Sequence, residues 1–198
     1  FPGRNLSLTV DADPQAEISS KETLAENLTS LTLSNGARVI LAKSAGEEQK
    51  LQITAVSNKG DLSFPAQQKS LIALANKAVS GSGVGELSSS SLKRWSAENS
   101  VTMSSKVSGM NTLLSVSARA NNPEPGFQLI NQRITHSTIN DNIWASLQNA
   151  QIQALKTLDQ RPAEKFAQQM YETRYADDRT KLLQENQIAQ FTAADALA

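Results

Sequence analysis

Apolar positions along this chain recur with two different periods, and the change between them divides it. From residue 31 to residue 42 the pattern alternates, with Leu31 and Leu33 before Asn35-Gly36 and Val39 and Leu41 after it. Alternation puts successive side chains on opposite faces of a strand, and Asn-Gly readily takes the positive φ of a tight turn, so this stretch predicts a β-hairpin. Another strand is predicted over residues 51–56, centred on Ile53 and ending near Gly60. After Pro65 the spacing of Leu71, Leu74, Ala75, Ala78 and Val79 is helical, and the glycines at 81, 83 and 85 close that helix. Serines 88–91 can cap a second helix, running to about Glu98, because their hydroxyls accept the unpaired amides of a first turn.

Two more alternating runs follow, Val101, Met103, Ser105 and Val107 on one face and then Leu114, Val116 and Ala118, joined through residues 108–111. Beyond Asn121-Asn122-Pro123 the period becomes helical: Phe127, Ile130 and Ile134 mark one helix, and Ile143, Leu147, Ala150, Ile152, Leu155 and Leu158 a longer one. Pro162 opens a further helix and Asp177-Asp178 breaks the last stretch. Upstream, residues 1–28 hold turn formers, an alternating stretch over residues 6–10 and a helix-friendly segment over residues 20–27, which together predict a linker with one short strand. The order suits an α+β fold, helices packed on one face of a mainly antiparallel sheet, with the linker at 1–28 and one domain over 29–198.

Composition narrows the partners. Nineteen basic residues balance nineteen acidic ones and the densest basic spot is the pair Lys93-Arg94, so the clustered cations of a nucleic-acid interface are missing. The absence of cysteine excludes disulfides, thiolate metal sites and cysteine nucleophiles. No apolar run approaches the roughly 18 residues of a membrane span. A start at Phe1, on Pro-Gly and without methionine, leads one to expect an excised or mature fragment.

The run Leu33-Ser34-Asn35-Gly36-Ala37-Arg38-Val39-Ile40 resembles the opening hairpin of insulinase (pitrilysin) family domains. The strand ending at Gly60, the helix closed by Gly81-Ser82-Gly83, the serine-rich helix start, the strand pair and Pro162 after a long helix follow the same order from about residue 29 onward. The resemblance implies a metallopeptidase-like fold (the LuxS and processing-peptidase type). Active members carry His-x-x-Glu-His on the helix after the third strand and a further glutamate downstream, a set that binds zinc and activates water. At the equivalent positions this chain has Ile72, Ala75 and Asn76, with Gln153 or Ala154 where the last ligand would lie, and none of these supplies a zinc site. The resemblance therefore implies a degenerate, non-catalytic domain, with zinc held in another domain of the parent. It also implies an N-terminal linker from a preceding domain, an end short of the full domain's last strands and helices, and a periplasmic or secreted location, with cytoplasmic as the alternative.

Other chemistry is better read as structure. His136 is the only histidine, at the end of a predicted helix where an imidazole is electrostatically favoured. The glycines at 81–85 lack the Gly-Lys-Ser/Thr sequel of a phosphate loop, and the serines lack a Gly-x-Ser-x-Gly elbow. Asp141, Asp159, Asp177 and Asp178 fall at helix starts and breaks, Trp95 and Trp144 on amphipathic helices, and Asn5-Leu6-Ser7 and Asn27-Leu28-Thr29 match a glycosylation triplet that matters only in a eukaryotic secretory protein. Two functions compete: a substrate-enclosing wall of a zinc endopeptidase, in contact with the parent's other domains and with peptide, and an enzymatically silent assembly module. For the first, peptide contact is expected by strand addition along Leu31 and Leu33, Val39 and Leu41, or Ile53. An unrelated ligand-binding α+β domain is a third reading, which no pocket chemistry in the sequence favours.

Overall fold

The computed structural model describes Leu8, residues 16–44, Gly46 and residues 49–197. The strand expected over residues 6–10 lies outside these apart from Leu8, which is buried in the core. Strands β1 (Ile18–Ala25), β2 (Leu28–Leu33) and β3 (Arg38–Ala42) form one antiparallel sheet in that order. The segment read as helix-friendly over residues 20–27 is thus mostly strand β1. Its lysine, glutamates and alanine are good helix formers, but here β2 offers a ladder of backbone partners, from Ile18 opposite Leu33 to Ala25 opposite Leu28. The Asn35-Gly36 hairpin forms as expected, with a refinement. Gly36 alone takes a positive φ, +84°, and donates its N–H to Leu33 O at 2.9 Å, while Asn35 Oδ1 accepts from Ala37 N.

Strands β4 (Lys50–Ser57), β5 (Thr102–Ser108) and β6 (Asn111–Arg119) make a second antiparallel sheet, in the order β4-β6-β5. Ile53, Val116 and Met103 are direct neighbours across it, as are Ala55, Leu114 and Ser105, so these six share a face. The opposite face carries Gln52, Thr54, Ser115, Ser117, Thr102 and Ser104, the polar half of the alternation. The single sheet expected from sequence is therefore two hydrogen-bonded sheets, and the class remains α+β.

Helices α1 (Lys69–Gly81) and α3 (Glu124–Thr135) lie on the apolar face of the second sheet. On α1, Asn76 Oδ1 accepts from Ser105 Oγ at 2.9 Å. On α3, Gly126 sits so close that a Cβ there would meet Ala118 Cβ at 2.9 Å. This corrects the expected buried face of α3: Phe127 and Ile134 are exposed, and Leu129, Gln132 and Arg133 face inward with Pro125 and Gly126. The shift follows from Gly126, which permits the close approach, and from Arg133, which donates to Val79 O at 2.7 Å and Gly83 O at 3.3 Å across the end of α1. Burial lowers the pKa of that guanidinium.

Helix α2 (Ser89–Asn99) is capped by Ser88 Oγ, which accepts from Ser91 N, and it buries Leu92 and Trp95. With Val84, Leu87, Val101, Val116, Ala118, Leu129 and Leu8 these make one core cluster. A second cluster is helical. It joins Leu71, Leu74 and Ala78 of α1 to Trp144 of α4 (Asp141–Lys156), to Leu183, and to Ile188 of α6 (Glu185–Gln190). Helix α5 (Pro162–Tyr175) begins at Pro162 as expected but buries no residue, and α7 (Ala193–Leu197) follows α6.

Candidate functional site

The site to test is the α1 face that holds the positions expected, from the resemblance, to correspond to zinc ligands. On a helix, residues 72, 75, 76 and 79 form one stripe, adjacent to the stripe of 71, 74 and 78. Leu71, Leu74 and Ala78 enter the second core, which leaves the neighbouring stripe at a partly open surface. Ile72, Ala75, Asn76 and Val79 line a cavity of about 630 Å³. Phe64 and Gln68 close one side, Val107 of β5 another, and Phe191, Asp195 and Ala196, around α7, a third. The walls are mainly aliphatic and aromatic. Phe191 is fixed against Trp144, their ring centroids 5.7 Å apart and tilted by 56°.

Two polar side chains in this cavity, Asn76 and Asp195, are already engaged. Asn76 Oδ1 is held by Ser105 Oγ, which in turn lies 2.9 Å from Ser80 Oγ. Asp195 Oδ2 accepts from Thr192 N at 2.8 Å and from Thr192 Oγ1 at 2.6 Å, while Asp195 N donates back to Thr192 Oγ1. These contacts close the N-terminus of α7, and the bonds from the Thr192 side chain and backbone hold the Asp195 carboxyl below its ordinary pKa. A zinc ion does not fit here. Ile72 and Ala75 have no donor atoms, Asn76 offers a neutral amide oxygen already in use, and among the described residues no group of three or more His, Cys, Asp or Glu is placed to hold a metal.

The structure thus brings Ile72, Ala75 and Asn76 to one cavity, but not Ala154. Ala154 lies on α4, half-buried, and its carbonyl accepts from Arg161 Nη2 at 2.6 Å. Gln153 is exposed. His136 caps the end of α3, exposed, with Nδ1 2.7 Å from Thr135 Oγ1. Glycines 81–85 form the loop that ends α1, where Gly85 N donates to His136 O and Ser82 Oγ to Ala78 O. The contributions of Phe64, Phe191 and Asp195 to the cavity could not be read from local pattern. Thr192-x-x-Asp195 is a legible capping sequence, but which helix face it would meet is set by packing.

The strands expected to touch peptide divide by position. Leu31 and Leu33 belong to β2, which is central and paired on both sides. Val39 and Leu41 lie on β3 and Ile53 on β4, and both strands are sheet edges among the described residues, as are β1 and β5.

No family model matches the chain. Over all 198 residues it is 99% identical to the probable zinc protease PqqL of Escherichia coli (strain K12), of whose length it spans 21%. It superposes on the crystal structure of that periplasmic protease with a TM-score of 0.93, at 99% identity and over 22% of the crystallised chain. The chain has the fold of insulinase-family (peptidase M16) domains. Its relatives by fold include the peptidase M16 inactive domain of Pseudomonas fluorescens, with a TM-score of 0.67 at 13% identity over 86% of this chain and 42% of that one. Pitrilysin matches with a TM-score of 0.54 at 16% identity, over 85% of this chain and 17% of its own. The α+β insulinase-family fold expected from sequence is the one observed, and the periplasmic location agrees with that of the near-identical relative.

Proposed function

We propose that this chain is a non-catalytic wall domain of a zinc metalloendopeptidase, one that helps to enclose peptide while zinc and catalysis reside elsewhere in a longer polypeptide. The observation that carries the reading is the cavity lined by Ile72, Ala75 and Asn76, the positions that the resemblance aligns with metal ligands, where two side chains are aliphatic and the third is a neutral amide. Near-identity to about a fifth of a probable zinc protease supports the role as part of a larger enzyme. So does the exposed apolar surface. Phe166, Met170, Tyr171 and Tyr175 stand out from α5, and Phe127 and Ile134 from α3, as positions for contact with the other domains.

Within this reading the domain boundary lies near residue 28, with β1 carried by the linker and paired to β2 of the domain. Peptide is held along a sheet edge by main-chain hydrogen bonds, which give affinity without demanding one sequence. The test uses the folded 198-residue chain, its state checked by circular dichroism. Elemental analysis is expected to find no stoichiometric zinc, and a peptide library no cleavage. One zinc per chain, with hydrolysis lost on chelation, would overturn the proposal.

A further inference from the structure

Strands β3 and β4 follow each other in sequence, separated only by residues 43–49, yet they belong to different sheets. Consecutive strands on short connections usually pair. Among the described residues each of these instead presents an unpaired edge, and the ladder pattern identifies its atoms. Lys43 N donates to Asn27 O and Leu33 N to Ala37 O, so in the β2–β3 register Val39 and Leu41 bond to β2. Ile40 and Ala42 therefore turn their N–H and C=O groups outward. In the same way Ala120 N donates to Gln49 O, so Leu51 and Ile53 bond to β6 and Gln52 and Thr54 face away from it.

Both edges border one cleft of about 580 Å³, with Ile40, Leu41 and Ala42 on one wall and Leu51 and Gln52 on the other. We infer that an extended segment of the longer polypeptide, from outside these 198 residues, inserts there as a strand, bonds to β3 and β4 together and joins the two sheets into one. Length argues for that occupant: the chain spans only 21% of a relative with which it is 99% identical, so most of such a polypeptide is available in tethered form. A tethered segment competes at millimolar effective concentration, well above what a free peptide offers. Bonding on both sides also favours a resident strand over a substrate that must leave. The walls mix apolar Ile40, Leu41, Ala42 and Leu51 with polar Glu26, Asn27, Thr29, Lys43 and Gln52, which suits a strand of alternating apolar and polar residues. The inference rests on the chain being part of a longer polypeptide and is independent of whether it is catalytic. It removes Val39, Leu41 and Ile53 from the set of peptide-contact strands and leaves β1 and β5 as the open edges.

The experiment is hydrogen exchange on the full-length, peptide-free polypeptide, resolved to single amides. The amides of Ile40, Ala42, Gln52 and Thr54 are expected to exchange roughly 1,000-fold or more slowly than open ones, because they are bonded to the inserted strand. Fast exchange at these four in the resting protein, with protection only after a substrate peptide is added, would overturn the inference in favour of a substrate cleft. Photo-crosslinking from position 52 in a mixture of isotopically light and heavy protein then names the occupant. Crosslinks to a distant segment of the same isotope support the inference, and mixed-isotope crosslinks assign the cleft to a second copy and refute it. Zinc content is unaffected by any of these outcomes, so the non-catalytic reading stands or falls separately.

Discussion

Gly83 and Gly36 show how differently two glycines can matter. At Gly83 a Cβ would lie 1.7 Å from the carbonyl oxygen of Leu87, a backbone atom held by the reciprocal Val84–Leu87 bonds, so the loop cannot yield cheaply. Gly83→Ala is expected to fall at the upper end of single-substitution effects, roughly 3 kcal/mol or more. At Gly36 the space is open and only the positive φ of +84° is at issue, so Gly36→Ala should cost about 1–2 kcal/mol. Urea midpoints for the two variants check the order, and equal values would show that the Gly83 contact is not a constraint. Leu74, buried between Ala78, Trp144 and Ile188, supplies a third case. Leu74→Ala should cost about 2–5 kcal/mol by lost transfer energy and a residual cavity, and a neutral result would mean that α1 is not core.

Among the elements, α7 carries a pH dependence whose sign follows from its cap. The Asp195 carboxylate accepts two bonds from Thr192, and its pKa in the folded chain is depressed. A depressed carboxylate contributes stability above its unfolded pKa of about 4 and loses it as pH falls through the folded value. Local order of α7, read by hydrogen exchange, should be constant from neutral pH to about 5 and then decline, and Asp195→Asn should flatten that profile. A profile that rises toward acid would contradict the cap. Legibility also varied by element. The period-2 strands and the capped helix starts were readable because their signals are local: Ser88 caps α2 and Pro162 opens α5 as expected. Strand β1 was not, since its conformation comes from pairing with β2. The face of α3 was misread because Phe127, Ile130 and Ile134 make a proper amphipathic stripe, whereas the side turned to the sheet is chosen by the small Gly126 and the reach of Arg133.

For the molecule as a whole, the two sheets differ in what they bury. The second is covered by α1 and α3, but in the first only Ser30 is buried, and Ile18, Leu24, Ile40 and Leu41 are exposed. A three-stranded sheet without a packed face is marginal by itself. In the isolated chain the amides within β1–β3 should exchange much faster than those of β6, and in the longer polypeptide the gap should narrow. The candidate site was legible to the same limited depth: Ile72, Ala75 and Asn76 could be placed on one stripe from helical spacing, while the cavity they line depends on α7 and Phe64, which no local pattern joins to α1. The central claim is that this stripe has no part in metal binding or catalysis. Its most direct measurement is zinc content and peptide hydrolysis of the full-length polypeptide carrying Asn76→Ala, the one polar substitution available on this stripe. Unchanged zinc per polypeptide and a kcat within about threefold of the parent are predicted, since a group that binds no metal and meets no reacting atom leaves the barrier alone. Loss of the zinc together with loss of hydrolysis would contradict it.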